Sequence, residues 1–419
     1  MTIKKRIAII GSGISGLSMA YFLKDKHHIT LYEKNDRLGG HSRTISLQNN
    51  NHQKIDVDTG FIVLNDRTYP NLNALFSFLK IQLVKTEMSF SFSGNNGELE
   101  WSSKLIDSFF AQRKNILNFS MLKGAFDIYK FNKKAVQLVK DFPKLTIQEL
   151  IDKLKLGAWF KNYYLIPISS AIWSCSYEQI IEFPASSFIN FFQNHGLLSF
   201  KNKLQWYTLK NKSIDYVKAL EALINQDATI IKNASLFSIT RAPEGVEIKQ
   251  RNSNQTDHFD EVVFACHPTE ILKILKDPSP QESSCLSKFS SQKNIVYLHN
   301  DVHQMPKLKK CWSSWNYIYE KNSVKNKASV TYYMNKLQHI PEDFIVLVTL
   351  NPISPIPKNK TFDIYEFEHP VFNYASIEGI KEIDTIQGAH KVWFCGAYLR
   401  YGFHEDGIWS TMNILKKII

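Results

Sequence analysis

The chain has 419 residues, 44% hydrophobic and 13% aromatic, enough to bury a large core in two or three domains. Its 51 Lys and Arg against 39 Asp and Glu give a net charge of +12, which favours anionic partners or marks a lysine-rich solvated surface. The five cysteines (Cys175, Cys266, Cys285, Cys311, Cys395) are widely spaced with no C-x-x-C pair, which argues against a disulfide framework and a metal site and for a reducing, cytoplasmic compartment. No apolar run reaches the ~18 residues that span a bilayer, so any membrane contact is expected to be peripheral.

The opening MTIKKRIAIIGSG passes from an apolar run straight into a glycine turn, without the cleavage site of a secretory leader. Arg6–Ile10 reads as a buried parallel strand, Leu17–Leu23 as a helix, and His28–Tyr32 as a second strand ended by Glu33. Between the first strand and the helix stand Gly11, Gly13 and Gly16 in G-x-G-x-x-G spacing. The first makes the tight turn, the second lets backbone approach a pyrophosphate, and the third allows close helix–strand contact. The helix start, at Ile14 and Ser15, turns free N–H groups and a favourable dipole toward the phosphates. Glu33 lies where an acid accepts ribose hydroxyls. Together these features point to dinucleotide binding.

The next residues, KNDRLGGHSRT, add Lys34, Arg37, Gly39 and Gly40. A second glycine turn beside the pyrophosphate has no use in a plain NAD site and suits the larger FAD. GSGISGL…YEKNDRLGGHSRT resembles the N-terminus of the flavin-containing amine oxidase superfamily, which includes protoporphyrinogen oxidase and phytoene desaturase. Three further blocks extend the resemblance over the whole chain: DVDTGFIVLNDRTYPNLNALFSFLKI, AIWSCSYEQIIEFPASSFINFFQNHGLLSF, and WSSWNY with VTYYMNKLQ. They are similar to a bacterial branch described only as predicted NAD/FAD-binding or amine oxidase-like proteins.

The resemblance implies an α/β fold, with a Rossmann-like FAD-binding domain interleaved with an α+β substrate domain, as in the amine oxidase and glutathione reductase architecture. The FAD domain would comprise residues 1–85, 207–272 and 386–419, and the substrate domain 86–206 and 273–385. It also implies cofactor contacts at His41, Ser42, Gly60, Phe61, Leu236 and Gly396, with Leu236 near the adenine. His41 stands where many relatives carry Arg, so the phosphate contact is expected to pass to Arg43. Asn211, Lys212 and Ser213 replace a Gly-Gly-Ser turn, and Asn211 is the residue expected to tolerate a left-handed conformation.

Later segments follow the same order. ATIIKNASLFSITRAPEGVEIKQR reads as strands joined by a Pro-Glu-Gly turn. Phe259–Pro268 reads as a buried strand on which Cys266 and His267 point apart, against a thiol–imidazole pair. Ser102–Asp141 is basic and apolar at helical spacing, either a core-packed helix pair or a membrane-surface and lipid-entry element. Val392–Tyr398 is expected to return as a strand to the FAD domain, with Ile408–Leu415 as the last helix. The turn between them supplies Asp406 and Gly407 as FAD contacts. His404 and Glu405 there are candidate catalytic groups or helix caps, and Tyr332, beside Tyr333, is a weaker catalytic candidate.

These features describe an FAD-dependent oxidoreductase that abstracts hydride from an apolar substrate (lipid, acyl chain or isoprenoid-like) or from an amine. No flavin-facing lysine can be placed, which weighs against amines. The electron acceptor stays open among oxygen, a quinone and NAD(P). The alternatives are an NAD(P)-dependent dehydrogenase and a non-catalytic dinucleotide- or anionic-surface-binding protein. The chain carries no nucleic-acid-binding motif. The basic balance fits peripheral contact with the inner, anionic face of a membrane.

Overall fold

The computed structural model describes residues 3–173, 177–198, 204–251, 255–321 and 327–418. Cys175 lies outside the described residues. Five parallel strands form the first sheet: β1 (Arg6–Ile10), β2 (His28–Tyr32), β3 (Thr229–Ile231), β4 (Glu261–Phe264) and β5 (Val392–Phe394), in the spatial order β3-β2-β1-β4-β5. The central strands are covered on both faces, so Ile7 to Ile9 and Val262 to Phe264 are fully buried apolar runs. Helix α1 (Ile14–Leu23) lies between helix Ser213–Ile224 and the terminal helix His404–Ile418. Residues from both ends of the chain thereby meet in one layer.

A second, mixed sheet has seven strands, in the order Thr361–Val371, Ser290–His299, Leu347–Leu350, Lys327–Tyr333, Trp315–Glu320, Phe90–Gly94, Leu99–Ser102. Its register sets one apolar row across all seven: Tyr365, Val296, Leu350, Val330, Tyr317, Phe92, Trp101. Period-2 alternation puts the neighbouring row, Thr349, Thr331, Asn316 and Ser91, on the other face. These four are fully buried and hydrogen-bond to one another in pairs: Thr331 to Thr349 at 2.8 Å and Ser91 to Asn316 at 2.8 Å. The apolar row packs with helices from residues 119–194 into the largest core.

Three elements differ from the sequence expectation. The terminal helix begins at His404, so His404, Glu405, Asp406 and Gly407 occupy its first turn and not a preceding loop. Acidic side chains there complement the helix dipole. Strand β5 is only three residues long, and the chain turns away at Gly396. Residues 102–141 form a four-residue helix (Ile106–Phe109), a 3-10 turn (Arg113–Leu117) and one 23-residue helix, Phe119–Asp141.

Candidate cofactor site

The site begins at the C-terminal end of β1. Gly11 has φ +102° and donates its N–H to Tyr32 O at 2.8 Å, which closes the turn. A Cβ on Gly16 would lie 1.8 Å from Gly11 O, so the helix can approach the strand only with glycine there. Gly13 is different. It caps α1 without any side-chain bond, and a Cβ on it would meet nothing within 4 Å. Its backbone faces open space in front of a helix N-terminus, the surface an anion uses.

The second glycine turn is strapped to the first. Gly39 donates to Ser12 O at 2.9 Å, and a Cβ on Gly40 would be 3.0 Å from Gly13 Cα. Arg37 donates to Gly40 O at 2.9 Å and Ser42 O at 3.3 Å; burial holds its pKa below the ordinary value. Glu33 is buried. One oxygen accepts Ser12 N (3.0 Å) and Oγ (2.6 Å), and the other accepts Asn35 N (2.9 Å) and Nδ2 (2.7 Å). Its acceptor positions are therefore filled by protein donors, and a ribose hydroxyl must displace one. Asn35 is exposed and is the donor most easily displaced. The segment leading to Leu236 joins this end, with Asn233 N bonded to Asn35 O and Ala234 N to Glu33 O. Lys34 is largely exposed and lies 3.7 Å from Glu270.

The terminal helix forms the facing wall. A Cβ on Gly407 would be 2.6 Å from Ile14 Cγ2 and 2.9 Å from Ser15 Oγ, and Thr411 Oγ1 donates to Ser15 O at 3.0 Å. The first turns of two helices thus touch. Gly396 N bonds Ser410 Oγ at 2.9 Å and ties the end of β5 to the same helix. The Asp406 carboxylate turns away: it accepts Phe403 N at 2.9 Å and Tyr401 N at 3.3 Å, and burial pushes its pKa up to about 7. Glu405 accepts Asn71 Nδ2 at 2.6 Å and Leu72 N at 2.9 Å, which caps helix Pro70–Phe78; burial raises its pKa. Both carboxylates serve backbone amides, because helix starts leave N–H groups without partners. Glu405 thus acts as a helix cap, one of the two roles expected of it, and the Asp406 side chain is engaged by the turn that precedes it.

His404 stacks on Phe61 at 4.0 Å and 9°. Its Nε2 is 2.7 Å from Tyr216 Oη and 3.2 Å from Ser42 Oγ, and those two hydroxyls are 2.5 Å apart. Burial lowers the His404 pKa to about 3, so the ring is neutral near pH 7 and acts as a hydrogen-bonding strut. Tyr332 meets Trp315 edge-on at 4.9 Å on the inner face of the second sheet. Tyr333 points the opposite way and bonds Glu342, so the two tyrosines form no common cage.

His41 stacks on Phe367 at 4.4 Å, beside His369 and His267 at ring distances of 5.4 and 6.2 Å. Its Nε2 is buried with no hydrogen-bond partner, and burial with the neighbouring histidines holds its pKa well below 6.5. A Cβ on Gly60 would be 2.0 Å from His41 O, so Gly60 seats this residue. The phosphate contact does not pass to Arg43, whose guanidinium is 2.6 Å from Asp363 and stacks over Tyr365 at 4.0 Å. Cys266 is no nucleophile: burial pushes its thiol up to about 12, and His267 turns toward His41.

One group escaped the sequence. Asp58 is fully buried and accepts Ser213 N (2.8 Å), Ser213 Oγ (2.6 Å) and Thr44 Oγ1 (2.6 Å), with burial raising its pKa to about 6. It caps helix Ser213–Ile224, and only the second D of DVDTG hinted at it. The strained residue before that helix is Lys212, at φ 69° and ψ 173°, not Asn211. The cap fixes Ser213, and the residue just before it absorbs the turn.

Fold and site define a mixed α/β protein, built on two large sheets, with a Rossmann-type dinucleotide cradle closed by a second helix start. Residues 9–79 match the family of NAD(P)-binding Rossmann-like domains. No curated protein sequence matches the chain. Solved structures share its fold over nearly its whole length. A protein of an Exiguobacterium species assigned as a protoporphyrinogen oxidase is similar at TM-score 0.70 and 14% identity, over 100% of this chain and 99% of that one. The CLA-producing fatty acid isomerase from P. acnes follows at 0.67 and 13%, over 99% of both. Cyclohexylamine oxidase from Brevibacterium oxydans gives 0.64 and 12%, over 99% of this chain and 100% of that one.

Proposed function

We propose that the chain is an FAD-dependent oxidoreductase that takes a hydride from an apolar, acyl-like substrate. The observation that carries this reading is the meeting of two helix starts, at Ser15 and Gly407, beside a second glycine turn packed on Gly13. A nicotinamide site uses one helix start and one glycine turn. The residues fit FAD: Gly13 leaves open backbone, His41 Nε2 is a buried polar atom without a partner, and Glu33 stands at the ribose end. When bound, FAD supplies the two-electron acceptor. Gly13, His41 and the two helix starts would hold its pyrophosphate. Phe61, His404 and Tyr216 brace the wall beside it, and the aromatic sheet face excludes water.

The substrate class rests on that face. Trp315, Tyr332, Tyr365 and Phe367 present aromatic surface, and Phe367 reaches the cofactor site through its stack on His41. The fatty acid isomerase among the structural neighbours supports an acyl chain on this fold. The cyclohexylamine oxidase supports an amine, but Tyr332 and Tyr333 face apart and make no amine cage. The visible spectrum of the purified protein is the first test, followed by release of the chromophore. Flavin bands and released FAD, bleached without oxygen by an unsaturated fatty acid and not by amines, are expected. A colourless protein that FAD cannot reconstitute would overturn the reading.

A further inference from the structure

We infer that residues 104–134 form a surface that lies on an anionic phospholipid bilayer, independently of the reaction. Eight of the 18 exposed large hydrophobic side chains among the described residues fall between positions 105 and 129. Ile106, Leu117 and Phe119 are 83%, 90% and 80% exposed. On the long helix, Phe119, Leu122, Phe126 and Tyr129 are all exposed and recur at intervals of three and four. Met121, Gly124, Ile128 and Phe131 form the buried stripe. At about 100° per residue the two stripes lie on roughly opposite sides of the helix. A helix that only packs on a core needs one apolar stripe; this helix has a second, aromatic one facing outward.

Charge selects the occupant. The segment holds seven Lys and Arg against two Asp. Asp127 is buried and accepts Gly157 N at 2.8 Å, and Asp107 is paired with Arg113 and Lys310. Lys114, Lys123, Lys133 and Lys134 are exposed around the aromatic stripe. Apolar residues ringed by lysine suit the boundary between acyl chains and anionic headgroups. A second copy docked on the same patch would bring like charges together. Beneath the patch, Gly124 makes room for Trp159, a Cβ there falling 2.0 Å from the indole. Phe109 packs on Trp101 at 5.5 Å and on Trp159 at 6.1 Å. The surface therefore sits directly over the aromatic interior of the second sheet.

Vesicle co-sedimentation of the full chain tests this, using phosphatidylcholine alone and phosphatidylcholine with phosphatidylglycerol. Binding is expected only with phosphatidylglycerol. It should weaken at about 1 M salt, where the screening length is about 3 Å. Phe119→Asp with Phe126→Asp should reduce it on the order of tenfold or more, with melting temperature and visible spectrum unchanged. No binding by the wild type, or equal binding by wild type and variant, would overturn the inference. So would a dimer in light scattering that the variant disperses, without vesicle binding, since the patch would then be a self-association face.

Discussion

Three glycines with one motif spacing have different physical roles, and single substitutions separate them. Gly16→Ala drives a methyl into Gly11 O and is expected to cost several kcal/mol, read as lost folding in denaturant. Gly13→Ala meets no protein atom. It should leave the melting temperature of the cofactor-free chain unchanged while reducing retained flavin, and equal flavin content in Gly13→Ala and wild type would count against the cradle. Lys212 sits at a backbone conformation that suits glycine alone. Lys212→Gly is expected to raise stability by about 1 kcal/mol, seen as a higher denaturant midpoint at constant m-value.

Among the elements, capping across the chain decides what the acids do. Helix Pro70–Phe78 has no side-chain cap of its own, and Glu405, from the terminal helix, supplies one. Asp58 does the same for helix Ser213–Ile224. These carboxylates lock three helices around the cradle, so their burial reflects architecture. Glu405→Ala should lower stability by about 1–2 kcal/mol with the flavin spectrum and turnover per bound flavin unchanged. A turnover loss at full flavin occupancy would instead assign Glu405 a part in the chemistry. The second sheet shows the same logic in its ladder of Ser, Asn and Thr. Those residues look like solvent-facing positions in sequence, but they are buried and paired.

For the whole molecule, buried and half-buried histidines set the response to pH. Burial holds His404 at about 3 and His195, His299 and His369 at about 4, with His27, His41 and His267 also lowered. As pH falls below about 6.5 the unfolded chain takes up protons that the native chain does not, so this part of the stability is lost toward pH 4. Asp58, Glu405 and Asp406, with raised values, act in the opposite sense: the native state protonates first, and their contribution grows as pH falls. Seven histidines outweigh three acids, so the melting temperature should be lower at pH 5 than at pH 7. A flat or rising profile in calorimetry would contradict this balance.

The first strand, the glycine turn, α1, the second strand and Glu33 were legible because their signals come from neighbours in the chain: apolar runs, turn residues and spacing. The hairpin Leu236–Ala242 with Gly245–Gln250 was legible for the same reason, its turn residues lying between two β-prone runs. Partnerships between distant residues were not. Glu405 and Asn71 are 334 positions apart, and only packing makes one the cap of the other. Arg43 could serve a phosphate or Asp363, and the second sheet decided for Asp363. The outward stripe from Phe119 to Tyr129 has the same spacing as a core stripe. Its exposure depends on which side the rest of the chain covers, and a linear sequence cannot express that.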